Sequence, residues 1–333
     1  MRYRSFRIAY QSRFRSRPCL SGFSAITAVA LVTVSVLAGS VSAQQGPIRL
    51  NRAIEKLEKG EAILGLISTD RSLTNARALA SSDLDFVIID MEHGALDLEQ
   101  LHTFLLGMTD KAAILRKGNL QPSVTPLVRI TPYGRENLQF IVKQALDLGV
   151  FGIMFPTINT KAEALNAVRA ARYPQPKGAQ DMEPAGQRGS GPTNAIWYWG
   201  IPSAEYTQRA DTWPLDRQGE LLLFLQAESA EAVKNIDEIL EVPGIGAIFI
   251  GPSDLSLSLG VGGVPNAPEL EAAIQTVLKA CLARNVPCAI TTSVGDVARR
   301  LREGFRIVTV GGDGGMTPGT DATLKAGRAA LRR

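Results

Sequence analysis

Residues 221–254 read LLLFLQAESAEAVKNIDEILEVPGIGAIFIGPSD. The stretch begins with a short apolar run, continues as a longer pattern with apolar residues at helical spacing, and ends in a second short apolar run. A β-rich run, an amphipathic helix and another β-rich run in this order are typical of a parallel βα unit.

The same alternation recurs along the chain, and we count eight units. The predicted strands are residues 62–67, 85–92, 126–130, 152–156, 221–228, 247–251, 287–292 and 306–310. A helical pattern follows each strand, most clearly at 162–173 and 268–284. Eight units favour a closed barrel over an open doubly wound sheet, and no Gly-x-Gly-x-x-Gly turn follows the first strand. We therefore predict an α/β fold, a single-domain (β/α)₈ TIM barrel, over residues 44–333.

One segment, residues 174–220, interrupts this alternation with dense Pro, Gly and polar residues. It also contains all three tryptophans of the chain, Trp197, Trp199 and Trp213. A connection this long is usually functional or disordered, and its aromatic content indicates order. Because it follows the fourth unit's strand, we expect it at the carboxyl-terminal mouth of the barrel.

The first 43 residues have the order of an export signal. Six arginines precede an uncharged, mostly apolar run at residues 23–37, and the small residues Val41, Ser42 and Ala43 follow. We expect a signal peptide that is cut after Ala43 and a mature protein in the periplasm or the medium. The competing interpretation is an uncleaved anchor, because residues 22–43 carry no charge and a membrane span needs about 20 such residues.

Removing residues 1–43 leaves 290 of the 333 residues, with 30 basic residues against 32 acidic ones. The high isoelectric point of the whole chain, about 9.0, therefore belongs to the signal. Nothing in the charge pattern indicates a nucleic-acid partner or a stable membrane contact after cleavage. Two cysteines remain, Cys281 and Cys288; an oxidising compartment permits a bridge between them, although their positions favour two separate buried thiols.

Barrel enzymes carry their catalytic groups at the carboxyl ends of the strands, and these ends are unusually polar here. Residues two apart on a strand point the same way, so Gln226 and Glu228 form one inward-facing pair and Asp90 and Glu92 form another. The polar strand ends are Asp90-Met91-Glu92-His93, Arg129, Gln226-Ala227-Glu228 and Gly251-Pro252-Ser253-Asp254.

Glu228 and Asp254 follow neighbouring predicted strands. Two carboxylates without a His or Cys beside them suit a hard ion such as Mg²⁺ or Mn²⁺. The alternative is that each acid caps a helix or pairs with an arginine. His93 is placed to act as a general base, and Arg129 to stabilise an enolate or carboxylate oxygen. The alternatives are a structural histidine and an arginine that neutralises Asp90 or Glu92.

The lysines give negative evidence about mechanism. None of the ten lies in a predicted strand or at its end, whereas a Schiff-base aldolase needs a desolvated lysine inside the barrel. Carbanion chemistry in this chain would therefore need a metal ion.

These residues also resemble the HpcH/HpaI aldolase family, whose members are metal-dependent pyruvate aldolases related to the citrate lyase β subunit. The resemblance extends over essentially the whole of residues 44–333. It is carried by FVIIDMEHG (86–94), PLVR (126–129), KQALDLG (143–149), the ARYP ending of 162–174, QAES (226–229) and FIGPSDLS (249–256).

The resemblance implies a role for each site residue. It implies that Glu228 and Asp254 hold a divalent metal (Mg²⁺, Mn²⁺ or Co²⁺), that His93 is the base, and that Arg129 stabilises the enolate. Asp147 would raise the basicity of His93, and Gln226 and Ser253 would bind the pyruvate part beside Asp254.

The implied reaction is reversible retro-aldol cleavage of a 4-hydroxy-2-oxo acid to pyruvate and an aldehyde, by a homo-oligomer. Rival interpretations are an acyl-CoA lyase of the citrate lyase β type and an exported protein that binds keto acids without catalysis. The chain departs from the family in the length of the stretch before Arg188 and in the glycine-rich residues 311–315. The aldehyde therefore stays open, and we expect the segment 174–220 to act as a lid or wall that selects it.

Overall fold

The computed structural model describes residues 48–131, 139–264, 266–311 and 315–332. Its strands are β1 (Ile63–Ser68), β2 (Phe86–Asp90), β3 (Thr125–Arg129), β4 (Ile153–Phe155), β5 (Thr212–Trp213), β6 (Leu221–Leu222), β7 (Phe224–Ala227), β8 (Ala247–Ile250), β9 (Cys288–Thr292) and β10 (Ile307–Val310). Its helices are α1 (Arg52–Glu58), α2 (Leu73–Ala80), α3 (Leu98–Gly107), α4 (Lys111–Lys117), α5 (Gln139–Leu148), α6 (Lys161–Ala171), α7 (Thr193–Trp199), α8 (Ser203–Arg209), α9 (Ala230–Lys234), α10 (Ile236–Ile239), α11 (Pro252–Ser258), α12 (Pro268–Ala283), α13 (Val297–Glu303) and α14 (Pro318–Leu331).

Eight parallel strands of the described chain close into a barrel in the order β1, β2, β3, β4, β7, β8, β9, β10, and β10 pairs with β1. This confirms the predicted (β/α)₈ fold. Nearly every residue of these strands is buried, because the strands face the barrel interior on one side and the helices on the other. Inside, Phe224 packs against Phe86 and Phe249 with ring centroids 6.1 and 6.4 Å away. Gly65 gives the Phe86 ring its space, since a Cβ there would lie 2.4 Å from it.

The predicted strand at 221–228 is divided in the structure. Its first part, β6, pairs with β5 in a small two-stranded parallel sheet, and only β7 belongs to the barrel. Leu223 lies between them, and its carbonyl accepts hydrogen bonds from Gly246 and Ala247 as the barrel pairing with β8 begins. The helices predicted at 162–173 and 268–284 correspond to α6 and α12. A capping box between Thr160 and Glu163 fixes the start of α6.

The expected position of the segment 174–220 is wrong. The segment contains α7, α8 and β5, and its Trp199 stacks on Phe151, 4.6 Å between centroids, and donates a 2.8 Å hydrogen bond to the Gly149 carbonyl. Both contacts lie just before β4, at the amino-terminal end of the barrel. The physical reason is that α6 has already carried the chain back from the mouth. The segment connects a helix to the next strand, so it does not form a lid over the mouth.

A buried carboxylate, Asp85, fastens the amino-terminal end of the barrel. It accepts hydrogen bonds from the Leu64 backbone (2.8 Å), from Lys56 on α1 (2.8 Å) and from Arg328 on α14 (2.9 Å). Burial raises the pKa of Asp85, but the bonds and charges of Arg328 and Lys56 outweigh it and hold the pKa below its usual value. One side chain thus links the first helix, the first strand and the last helix.

The predicted signal, residues 1–43, and most of the glycine-rich stretch at 311–315 lie outside the described residues. Within the part of the chain that the structure describes, no helix has the length and apolar character needed to cross a membrane. Cys281 and Cys288 are both buried free thiols, and burial together with the hydrogen bond that the Cys288 thiol donates to Cys281 raises the pKa of Cys288.

Candidate active site

A pocket of about 680 Å³ opens at the carboxyl ends of the barrel strands. The structure brings five of the predicted site residues together in its lining: His93, Arg129, Gln226, Ser253 and Asp254. They come from the ends of β2, β3, β7 and β8, which is where the fold places catalytic groups.

Glu228 lies buried directly behind this lining. One carboxylate oxygen accepts hydrogen bonds from the Thr157 backbone N–H (2.8 Å) and hydroxyl (2.9 Å), and the other accepts one from the Gln226 amide. Thr157 follows β4 with a φ of 51°, and this left-handed turn directs its N–H toward the carboxylate. Gly251 approaches from β8, where a Cβ would lie 2.6 Å from the second oxygen. Three strand ends therefore fix the Glu228 carboxylate.

Asp254 lies in the first turn of α11, on the exposed side of the pocket. Burial raises the pKa of Glu228, the Thr157 bonds oppose that rise, and the negative charge of Asp254 adds to it. The two carboxylates thus share one electrostatic neighbourhood, as the sequence predicts for residues after neighbouring strands.

The residues at this end of the barrel fit a hard divalent cation. Glu228 and Asp254 are oxygen donors, and the buried Gln226 Oε1, part of the amide that touches Glu228, has no hydrogen-bond partner. Such sites take carboxylate, amide and water oxygens together. Two neighbouring carboxylates without a positive charge repel each other, so a bound cation would also stabilise their charged forms.

Among the described residues a closer group of three carboxylates, Asp181, Asp211 and Asp216, lies in the segment 174–220. Arg172 already donates to both oxygens of Asp211, at 2.6 and 2.7 Å, and reaches Asp181 at 3.3 Å. The arginine therefore supplies the positive charge that these acids need.

Arg129 is held in one orientation by Asp90. Its Nε and one Nη each donate a 2.8 Å hydrogen bond to the two Asp90 oxygens, and Nε lies 3.2 Å from Glu92. These contacts match the alternative interpretation from the sequence, in which Arg129 neutralises Asp90. The same guanidinium also lines the pocket, so its charge is available to an oxygen there.

The sequence predicted Glu92 as the strand partner of Asp90 and as an acid that Arg129 could neutralise, without a catalytic role. Burial raises the pKa of Glu92 to about 7; Arg129 opposes this rise, while the charges of Glu228, Asp90 and Asp254 increase it. Its Oε2 lies 3.8 Å from His93 Nε2, and the His93 side chain is 57% exposed. Glu92 is thus the carboxylate beside the predicted base. Its position immediately before His93 in the sequence could have identified it as a site residue. Thr157 had no comparable signal.

Asp147 does not lie at this pocket. It is in the last turn of α5, where it accepts a 2.9 Å hydrogen bond from buried Arg188 and pairs with Lys143 one turn earlier. At this turn α5 has returned the chain to the amino-terminal end of the barrel. Soon afterwards the Phe151 backbone N–H donates a hydrogen bond to the Pro126 carbonyl at the start of β3. The expected contact between Asp147 and His93 is therefore absent from the described chain, and the implied catalytic role has no support from a contact within it.

Known proteins are similar to this chain over most of its length and share its fold. The family model HpcH/HpaI aldolase/citrate lyase matches residues 65–318. The 2-keto-3-deoxy-L-rhamnonate aldolase of Escherichia coli (strain K12) is 31% identical over 261 residues, which cover 78% of this chain and 86% of that protein.

Two solved structures are similar as well. An HpcH/HpaI aldolase/citrate lyase family protein from Burkholderia cenocepacia J2315 is 30% identical with a TM-score of 0.65, covering 85% of this chain and 98% of the other. An HpcH/HpaI aldolase from Desulfitobacterium hafniense DCB-2 is 25% identical with a TM-score of 0.62, covering 83% and 93%.

A closed parallel barrel with an acidic pocket at the carboxyl ends of its strands defines the class of barrel enzymes. Within that class, the chain belongs to the HpcH/HpaI aldolase/citrate lyase family. It is a carbon–carbon lyase, as its curated aldolase relatives are.

Proposed function

We propose that this enzyme is a metal-dependent pyruvate aldolase that cleaves 4-hydroxy-2-oxo acids to pyruvate and an aldehyde, and that also catalyses the reverse addition. The observation that carries the proposal is the pocket itself, which brings Asp254, His93 and the anchored Arg129 together, with Glu228 buried directly behind it and bonded to Gln226. All ten lysines lie among the described residues and none is in a barrel strand, which argues against a Schiff base.

Glu228 and Asp254 would hold the divalent cation, Mg²⁺, Mn²⁺ or Co²⁺. When bound, the cation supplies positive charge that lowers the energy of a developing enolate. Gln226 and Ser253, which line the pocket beside these acids, would bind the carboxylate and oxo group of the substrate.

His93 and its neighbour Glu92 would move the proton. In the cleavage direction the base removes the proton of the 4-hydroxyl group, the C3–C4 bond breaks, and the bonding electrons form the enolate of pyruvate as the aldehyde leaves. The proton is then returned to C3, which becomes the pyruvate methyl group. His93 Nε2 lies 3.8 Å from Glu92 Oε2, so the histidine has a carboxylate neighbour during both transfers.

Arg129 would stabilise the enolate oxygen through its fixed charge. Because Asp90 holds the guanidinium by two bonds, the charge is already oriented before the substrate binds. A preorganised donor of this kind acts mainly on the transition state.

The test is pyruvate release by purified residues 44–333, after chelation and again after addition of Mg²⁺, Mn²⁺ or Co²⁺. We expect release from a 4-hydroxy-2-oxo acid only with metal. A second readout is exchange of the pyruvate methyl protons in D₂O, which needs no aldehyde. Release that persists after complete chelation, or no release and no exchange with any of the three metals, would contradict the proposal.

A further inference from the structure

A buried arginine lies at the mouth of the barrel outside the machinery described above. Arg71 belongs to the short connection between β1 and α2, and it is only 7% exposed. This connection follows the carboxyl end of β1, on the same side of the barrel as His93.

Among the described residues, Arg71 has no carboxylate partner. Its Nη1 is buried without a hydrogen-bond partner, and no ion pair joins Arg71 to any carboxylate of the described chain. The adjacent Asp70 instead accepts a 2.8 Å hydrogen bond from the Ser72 backbone. Removing a guanidinium from water without a partner is strongly unfavourable, so an anionic group bound beside Arg71 would be stabilising.

The other buried arginines show how unusual this is. Six arginines are buried in the described part of the chain, and each of the other five contacts a carboxylate. The pairs are Arg129–Asp90, Arg172–Asp211, Arg188–Asp147, Arg209–Glu220 and Arg300–Glu271. In the described chain, then, each of the other buried guanidinium groups contacts an acid, whereas Arg71 contacts none.

The guanidinium lies close to Gly94, the residue after the predicted base. A Cβ on Gly94, the residue after His93, would lie 3.5 Å from Arg71 Nη2 and 3.5 Å from the Asp90 carbonyl. The Gly94 backbone is exposed and the preceding residue, His93, lines the pocket, so Nη2 lies next to the rim of the pocket.

The barrel order gives the direction of the substrate. β1 and β7 are four strands apart by either route around the barrel, so Arg71 follows the strand opposite the one that leads to Glu228. A substrate held by its 2-oxo acid end at Glu228 and Asp254 would therefore reach Arg71 by extending across the mouth.

We propose that Arg71 binds a carboxylate at the far end of the substrate, so that the preferred aldehydes of this enzyme carry a negative charge. The inference rests on the proposed aldolase function and names its substrate class. A guanidinium presents paired donors that match a carboxylate, and a bound carboxylate supplies the counter-charge that Arg71 lacks.

The experiment compares aldehydes that differ in charge, with pyruvate as the other reactant. The pairs are glyoxylate with glycolaldehyde and succinic semialdehyde with butanal, and kcat/KM is measured for each. We expect the wild-type enzyme to prefer the charged member of at least one pair. Arg71→Gln should reduce kcat/KM for that aldehyde by roughly 10- to 100-fold, as for a lost charged hydrogen bond, and leave its uncharged partner almost unchanged.

Two further variants sharpen the comparison. Arg71→Lys keeps the charge and should retain part of the preference. Arg77→Gln removes an exposed arginine from α2 and should change neither aldehyde. An equal loss with charged and uncharged aldehydes in Arg71→Gln would overturn the inference.

The unfolding temperature of Arg71→Gln distinguishes a binding role of Arg71 from a structural one. Because Arg71 has no partner in the described chain, Arg71→Gln should unfold at the same temperature as the wild type or higher. A lower unfolding temperature without a change in aldehyde preference would mean that Arg71 supports the fold, and would overturn the inference.

Exchange of the pyruvate methyl protons separates this inference from the proposed function. Wild type and Arg71→Gln should exchange equally in D₂O, because no aldehyde takes part. Exchange without any preference for charged aldehydes would overturn the assignment of Arg71 alone. Absence of exchange and of cleavage in the wild-type enzyme would overturn the aldolase proposal and this inference with it.

Discussion

The Arg129 guanidinium, at the end of β3, donates two 2.8 Å hydrogen bonds to the Asp90 carboxylate at the end of β2. Both side chains are almost fully buried. The pair joins two adjacent strands where the pocket begins, so Asp90 sets the orientation of the Arg129 guanidinium at the pocket.

Replacing Asp90 by Asn keeps the size of the side chain and removes its charge. We expect kcat to fall by about 10² because Arg129 loses its fixed orientation, and metal affinity to change little. Stability should also fall by about 3 kcal/mol, since Arg129 would keep a buried charge without its main partner. Steady-state kinetics, metal titration and thermal unfolding measure these effects; an unchanged kcat would show that Asp90 serves the fold alone.

The Asp85 network predicts acid sensitivity at the other end of the barrel. Its folded pKa lies below 3.8, so its contribution to stability is complete above that unfolded value and is lost as the pH falls through the folded pKa. Asp85→Asn should cost about 3–5 kcal/mol at pH 7 and flatten the stability curve between pH 5 and the folded pKa.

The matched control for Asp85 is Asp83, which pairs with the same Arg328 at 3.4 Å but is 79% exposed. Asp83→Asn should change stability by less than about 1 kcal/mol. Denaturant unfolding at several pH values measures both variants. Equal effects at the two positions would contradict the structural role of Asp85.

The sequence predicted the barrel and the residues of its mouth because both depend on local patterns. Polar residues that end apolar strands, such as Arg129 and Glu228, must meet at one end of a parallel barrel. Contacts that depend on the path after a helix were not predictable in this way. To predict the position of Trp199, one must know where α6 ends. To predict the partner of Asp147, one must know how the segment 174–220 folds.

Arg71 and Thr157 show a second limit. No pattern in the sequence says that Arg71 is buried without an acid, or that Thr157 takes a left-handed conformation to reach Glu228. Both facts depend on how neighbouring connections pack, so they appear only in three dimensions.

Export is a separate prediction that the described residues do not test. The arginine-rich start, the apolar run and Val41-Ser42-Ala43 predict a mature protein that begins at Gln44 in the periplasm or medium. N-terminal sequencing of the protein from each cell fraction is the measurement. Recovery of residues 1–43 still attached in the membrane fraction would instead favour the uncleaved anchor.

The central prediction assigns metal binding to the two acids and proton transfer to the histidine. Replacing Glu228 or Asp254 by Ala removes a charged oxygen donor, so metal affinity should fall by at least about tenfold. His93→Ala should leave metal affinity unchanged, because its contact is with Glu92 and not with the two acids.

The same His93→Ala variant should slow exchange of the pyruvate methyl protons by about 10² to 10⁴, the usual contribution of a general base. Metal titration by calorimetry and proton exchange in D₂O give the two readouts on the same protein samples. His102→Ala, a change in the other histidine, on α3, is the control and should alter neither. If His93→Ala lost the metal as well, or if the Glu228 and Asp254 variants bound metal as tightly as the wild type, the assignment of these roles would be wrong.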